Sequence, residues 1–291
     1  MEIEKILETF KDKSIMVFGG TGTVGSLIVE YLQQFSPKVL RIFSNDENSL
    51  WEAQQKWGDD GMRYIIGDIR EYERVKRSLK DVDYVFNCAA IKHVPFAEYN
   101  PIEVVKTNIF GLDNIINASV EQKIKKILHI STDKAVEPST NMGATKMIGE
   151  RLVQARYMQN PTIDMVITRF GNVWGSRGSI VQIIREQKRL GKPITITDPN
   201  MTRYFMQENE VIDLIFTAFV EGHNGDVWVP KLSPVLLSEV IKKEVGENYS
   251  YQIIGARKAE KISEKLLFDH EIPNIIDIEK YWIIPNDYKN N

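Results

Sequence analysis

The chain has 291 residues, 43% hydrophobic, 26% charged and 10% aromatic, an ordinary globular balance that excludes disorder and collagen-like architectures. Its 37 basic and 40 acidic residues give a formal charge of -3, which leaves no bulk basic surface for nucleic acid. A single cysteine, Cys88, excludes a disulfide framework and a cysteine-built zinc site, and no apolar run approaches the ~18–20 residues of a membrane helix.

The segment Met1–Lys13 is acidic and amphipathic, unlike a signal peptide, so the expectation is a soluble, cytoplasmic protein with no membrane partner. Ser14–Phe18 is a short apolar run ending at Gly19 and reads as a buried strand. Ser26–Phe35 follows with helical spacing, then strands at Val39–Phe43 and Arg63–Ile66, a helix at Glu71–Leu79 and a strand at Tyr84–Cys88. Pro101–Gln122 reads as one long helix, with Pro101 suited to a first turn. A strand at Lys126–Ser131, a helix at Asn141–Gln159 and a strand at Asp164–Arg169 complete an alternation that predicts an α/β fold with helices on both faces of a parallel sheet. Beyond Gly171 the pattern loosens. Helices are expected at Ile180–Leu190, Glu208–Glu221 and Leu237–Val245, strand and loop at Pro193–Phe205, and a strand at Asp226–Val229. Residues 1–172 are expected to form a dinucleotide-binding domain to which 206–229 return, with 173–205 and 230–291 forming a smaller C-terminal substrate-binding cap.

Gly19, Gly22 and Gly25 give GxxGxxG between the first strand and a helix. Glycine permits a tight turn and lets the backbone approach a pyrophosphate at the helix N-terminus. A ligand-free turn would use the same spacing, but the strand before it and the helix after it favour a dinucleotide. Gly19, Thr21, Gly22, Thr23, Val24 and Gly25 are therefore candidate cofactor contacts. The second strand ends in Ser44 and Asn45, neither acidic nor basic, so the choice between NAD and NADP stays open. Asp46 suits a helix N-cap as well as a ribose. Asp68 and Ile69 follow the third strand beside the expected adenine, and Ala89 and Ala90 follow the fourth where small residues leave room for the cofactor.

Further motifs continue along the chain: Ala89-Ala90-Ile91-Lys92-His93-Val94-Pro95, Lys106-Thr107-Asn108, Ser131-Thr132-Asp133-Lys134-Ala135, Met142-Gly143-Ala144-Thr145-Lys146, Arg169-Phe170-Gly171-Asn172-Val173 and Met201-Thr202-Arg203. Together they resemble the extended short-chain dehydrogenase/reductases, and among them the UDP-N-acetylglucosamine 4,6-dehydratases. The resemblance implies a Rossmann-type doubly wound parallel sheet and a tightly bound NAD or NADP regenerated in each cycle. Two departures stand out. The tyrosine of the usual YxxxK is Met142, ahead of Lys146, and methionine cannot exchange a proton. One branch of these dehydratases resembles this chain in carrying methionine there, with Thr-Asp-Lys thought to do the proton work. The C-terminal G-x-R-P-G-E-K-x-H-E pattern keeps Arg257, Glu260, Lys261 and Glu264 but loses its proline, second glycine and histidine.

The implied reaction oxidises sugar C4, removes the C5 proton, expels the C6 hydroxyl as water and returns hydride to C6. UDP-N-acetylglucosamine would become a UDP-4-keto-6-deoxy-hexosamine for surface glycan synthesis. Lys134 is the expected base at C5, with a lowered pKa, and Asp133 the expected acid at O6, with a raised one. Adjacent strand residues face opposite ways, so both reach one sugar only if the chain turns at Thr132. Thr132 is expected at O4 and Lys146 at the nicotinamide ribose. Lys92, Met142, Asn172, Arg177, Arg203, Arg257 and Glu260 are the expected substrate contacts, the arginines suiting phosphate recognition. His93 reads as structural, and no metal site is expected. A nucleotide-sugar 4-epimerase and a catalytically silent dinucleotide-binding subunit are the alternatives. A homo-oligomer, paired through the helix from Pro101, is the expected assembly.

Overall fold

The computed structural model describes residues 3–246, 250–256 and 259–286. Helix α1 (Ile3–Phe10) leads into β1 (Ser14–Phe18), α2 (Thr23–Leu32), β2 (Val39–Ser44), α3 (Glu47–Trp57), β3 (Met62–Ile66), α4 (Tyr72–Ser78) and β4 (Tyr84–Asn87). The chain continues through α5 (Val94–Tyr99), α6 (Pro101–Val105), α7 (Gly111–Glu121), β5 (Lys126–Ile130), α8 (Asn141–Gln159) and β6 (Asp164–Thr168). Then come β7 (Asn172–Val173), α9 (Ile180–Arg189), β8 (Ile194–Ile196), β9 (Thr202–Arg203), β10 (Phe205–Met206), α10 (Glu208–Glu221) and β11 (Asp226–Pro230). The last elements are β12 (Val235–Leu236), α11 (Leu237–Val245), β13 (Tyr251–Ile253), β14 (Ile276–Asp277) and β15 (Tyr281–Ile284).

Among the described residues the large sheet has nine strands in the order β14-β15-β11-β6-β5-β4-β1-β2-β3. From β3 to β11 every pairing is parallel. Such strands are buried on both faces, and β1 is buried at every residue. Its alternation feeds two cores. Ile15 and Val17 join Ile28, Phe216 and Phe219 on one face, while Met16 and Phe18 join Leu79, Leu112 and Ile115 on the other. The fold is thus the doubly wound sheet that the strand–helix alternation predicts, with smaller sheets in the C-terminal part.

Several elements differ from expectation. α1 is a helix whose Ile6 and Phe10 are buried, the Phe10 ring lying 5.0 Å from Phe219 and 5.4 Å from Phe216. α3 begins at Asp46, whose carboxylate accepts from the N–H groups of Asn48 and Ser49, so this residue is a helix cap. The helix expected over 101–122 is broken at Lys106–Phe110 by a π turn. There Asn108 turns inward and bonds both backbone groups of Ile91, at 2.8 and 3.0 Å, and Thr145 Oγ1 at 3.1 Å.

The cap has its own core of Val181, Ile184, Ile194, Ile196, Val240 and Ile241. Residues 276–284, expected in the cap, instead extend the large sheet. β15 runs antiparallel to β11 with Trp282 opposite Val229, and β14 pairs with β15. At the opposite edge, Gly61 and Ser44 mark the ladder between β3 and β2, which leaves the carbonyls of Met62 and Ile66 facing outward. Arg63 donates to the first at 2.6 Å and Arg74 Nε to the second at 2.8 Å. No helix among the described residues is long and apolar enough to cross a membrane.

Arg169, at the end of β6, is 1% exposed and sits between two buried carboxylates. Its guanidinium donates to Glu150 of α8 at 3.0 and 2.6 Å and to Glu271 at 2.7 and 2.9 Å. It also reaches the carbonyl of Leu266 at 3.0 Å. Ser131 bonds Glu150, and the Phe268 N–H bonds Glu271. Arg169→Leu strands two buried carboxylates and is expected to cost about 3–5 kcal/mol in urea denaturation at neutral pH.

Candidate functional site

β1 and β4 are neighbours whose following chains leave for opposite faces of the sheet, and a crevice opens beyond their C-terminal ends. Gly19 leaves β1 with φ +70°, and a Cβ there would meet Ala89 N at 2.8 Å. A Cβ on Gly25 would lie 2.2 Å from Gly19 O, so this turn packs only as glycine. Gly22 caps α2 without a side-chain hydrogen bond, leaving first-turn N–H groups to face an anion. The cradle therefore fits a dinucleotide pyrophosphate. Thr21, Ser44 and Ser49 form a hydroxyl chain at the tip of β2, Thr21 to Ser44 at 3.2 Å and Ser49 to Thr21 at 2.9 Å. Asn45 beside it is exposed. Asp68 accepts three bonds from Arg70, at 2.9 Å from its N–H, at 2.8 Å from Nε and from Nη2. Ile69, expected at the cofactor, belongs to the core, where it packs where a Gly111 Cβ would be. Thr23, Val24 and Ala90 line the crevice, and Ala89 closes over Gly19.

The turn demanded at Thr132 is present. β5 stops at Ile130, and Asp133–Ala135 form one 3-10 turn capped by Thr132. The Asp133 N–H bonds Phe170 O at 2.9 Å, which holds the turn against the end of β6. Asp133 is fully buried, so the acid expected to meet the sugar lies beneath the cleft floor. Its Oδ1 accepts from Thr132 Oγ1 at 2.9 Å and from Lys134 Nζ at 3.0 Å, while Oδ2 is buried without a hydrogen-bond partner. Lys134 Nζ also lies 3.8 Å from Glu264 Oε1. Lys146 is buried, with Nζ donating to Ile130 O and lying 3.3 Å from His129 Nε2. Burial pulls its pKa down to about 8, against the pull of Glu150 and Cys88. Met142 sits in an apolar cluster with Ala97 and Val104 and faces the same cleft.

Two adjoining clefts share Lys92, His93, Lys134, Asn172, Ser176 and Arg177. The one of about 730 Å³ is walled by the glycine turn, Cys88, Thr132, Met142 and Lys146. The other, about 300 Å³, is walled by Arg203, Glu260, Lys261, Glu264 and residues of the cap. Lys134 thus stands where a cofactor side meets a substrate side. Arg177 stitches the cap to the glycine turn, its side chain donating to Thr21 O and its N–H to Thr23 Oγ1 at 3.2 Å. Lys92 Nζ donates to Arg177 O at 2.8 Å, and burial, with Arg177 adding, lowers its pKa. Asn172 Nδ2 bonds Tyr204 O at 3.1 Å. Arg203, expected to hold a diphosphate, spends its donors on the carbonyls of Thr202, Ile262 and Lys261 at 2.7, 3.1 and 2.9 Å. It pins the segment that carries Glu260, 3.7 Å away. Arg257 lies outside the described residues.

Lys261, Glu264 and His93 line the clefts without having been chosen as site residues. Lys261 Nζ bonds Val136 O at 2.7 Å, just past the Asp133–Ala135 turn, and lies 3.6 Å from Glu264 Oε2. Retention of Lys261 and Glu264 in the altered C-terminal motif is the sequence signal for those two.

A family model described as polysaccharide biosynthesis protein matches residues 15–286. A UDP-glucose 4-epimerase of Rickettsia conorii is 36% identical over 288 residues, 96% of this chain and 84% of that protein. The X-ray structure of Pen from Bacillus thuringiensis is 39% identical with a TM-score of 0.91, covering 95% of this chain and 90% of that one. DesIV, a dTDP-glucose 4,6-dehydratase from Streptomyces venezuelae with NAD and TYD bound, has a TM-score of 0.79 at 19% identity, over 88% of this chain and 89% of its own. That last likeness is one of fold. Gly25→Ala drives a methyl into Gly19 O and is expected to cost about 1–3 kcal/mol, read by chemical denaturation.

Proposed function

The chain belongs to the polysaccharide biosynthesis protein family, among the Rossmann-fold enzymes that modify nucleotide sugars, and we propose that it is a UDP-hexosamine 4,6-dehydratase using NAD or NADP. The observation that carries this reading is the Thr132–Asp133–Lys134 turn, which brings an ion pair to the meeting point of the two clefts. The dinucleotide lies along the glycine turn and the nucleotide sugar under the cap. When bound, the nicotinamide supplies reversible hydride exchange with the sugar. Lys146 and Thr132 orient the nicotinamide ribose and the sugar O4. Lys134 is the member of the pair that faces the cleft, and in its free-amine form it takes the C5 proton once C4 is a ketone. The resulting ammonium returns a proton to the departing C6 hydroxyl, which leaves as water. Asp133, 3.0 Å behind it, balances the charge through both transfers. This replaces the separate acid at O6 that the sequence led us to expect.

A 4-epimerase is the second reading, and the name of the Rickettsia conorii relative favours it. That reaction presents the C4 ketone to hydride from its other face and needs no base at C5. Exposed Phe96, Tyr99, Ile102 and Phe110 on α5, α6 and the π turn support a homo-oligomer under either reading.

Mass spectrometry and NMR of products from UDP-N-acetylglucosamine and UDP-glucose separate the readings. Dehydration gives a product lighter by one water, and Lys134→Ala should lower its rate by ~10²–10⁴. A product of unchanged mass with inverted C4, still formed by Lys134→Ala, establishes epimerisation. No product from any UDP-sugar with a cofactor-loaded preparation overturns both.

A further inference from the structure

Lys146 is flanked by a side chain that neither reading uses. His129 on β5 is 2% exposed, and its two ring nitrogens face Asn87 and Lys146. The proton on this ring can be placed by elimination. The backbone N–H of Ala89 can only donate, so the Asn87 atom it meets at 3.1 Å is Oδ1. The Asn87 Nδ2 therefore points at His129 Nδ1, 3.1 Å away. An amide nitrogen only donates, so Nδ1 is an acceptor and carries no proton. Burial pushes the His129 pKa well down, with the charge of Lys146 adding, so the ring is neutral. Its one proton then sits on Nε2, facing Lys146 Nζ at 3.3 Å.

An ammonium has three N–H donors and no lone pair, and would set N–H against N–H. A free amine accepts from Nε2–H and still donates to Ile130 O. We propose that His129 is a positioning residue that stabilises the free-amine form of Lys146 by presenting Nε2–H to Nζ. The other groups around Nζ do not reverse this. Cys88, after β4, is a neutral thiol whose pKa burial pushes up to about 12. Glu150, one turn along α8, favours the ammonium but has its oxygens engaged by Arg169 and Ser131. The free amine lies on the cleft wall beside Met142, which has no proton to exchange. It can take the proton of a hydroxyl laid against it, the oxygen keeping the electron pair.

The test uses the full chain with ¹⁵N-labelled histidine, whose four residues give a tractable spectrum, the His129 signals being assigned with His129→Gln. Nitrogen shifts report which ring nitrogen holds the proton. The expected result is a protonated Nε2, a bare Nδ1, and an Nε2 signal that titrates near pH 8 as Lys146 ionises. A proton on Nδ1, or on both nitrogens above that midpoint, overturns the proposal without any variant. Asn87→Asp offers Nδ1 an acceptor and should move the proton there. Asn87→Leu removes the donor without adding charge and controls for the carboxylate. In both, the acid limb of the pH–rate profile should move up by at least about one pH unit, a roughly tenfold lower rate at neutral pH with the rate at high pH retained. A limb that stays put while the proton has moved overturns the coupling, as does an equal loss at every pH. The kinetic arm rests on the proposed sugar chemistry. If no sugar turns over, that reading fails, and the nitrogen shifts still decide the one made here.

Discussion

One buried guanidinium holds the site together. Arg169 leaves the end of β6 and grips Glu150 on α8 and Glu271 in the C-terminal segment. Through Glu150 it also reaches Ser131, one residue before the Thr132–Asp133–Lys134 turn. Helix α8 carries Met142 and Lys146, and the C-terminal segment carries Lys261 and Glu264, so the elements of both clefts meet at this one side chain. Desolvating three charges is expensive and contributes little net stability over an apolar core. What the arrangement contributes is position. Five guanidinium donors in a fixed plane set the angle between two carboxylates, and hence between the helix and a segment about a hundred residues further along the chain.

That fixed geometry also decides where ionisable groups gather in the crevice. At the helix position where related enzymes carry tyrosine, Met142 packs into a small apolar cluster and closes the cleft wall. The ionisable groups cluster instead around the turn after β5, where Asp133 is buried and Lys134 is directed between the clefts. A buried carboxylate with one oxygen left without a hydrogen bond is a costly arrangement. It is tolerated because the adjacent lysine, 3.0 Å away, shares the charge. The cap completes the enclosure, with Arg177 reaching back to the glycine turn so that both clefts close along one seam.

The sheet and its crevice were legible because local signals carried them. Apolar runs placed β1 and β4, the first ending in glycine, and the GxxGxxG spacing marked a turn where a Cβ cannot fit. The demand for a bend at Thr132 followed from strand geometry once Asp133 and Lys134 were both expected at one sugar. What escaped depends on long-range contact. α3 buries only Leu50 and Ala53, too little for a helical period to show. The π turn exists because Asn108 answers Ile91, which no local pattern announces. Arg203 read as a phosphate ligand because its type suits one, yet carbonyls brought in by the C-terminal segment take its donors. Burial of Asp133 likewise depends on what packs over it, not on its neighbours in sequence.

The two rims of the large sheet have a consequence for how the protein behaves in concentrated solution. One rim ends in β14, a strand of only two residues that runs antiparallel and is too short to template another chain. On the other, the outward carbonyls of Met62 and Ile66 are already satisfied by Arg63 and Arg74. The row of outward backbone groups on which cross-β growth begins is thus short at one rim and interrupted at the other. Edge-to-edge pairing of copies is thereby disfavoured, so crowding should yield discrete particles in preference to fibres.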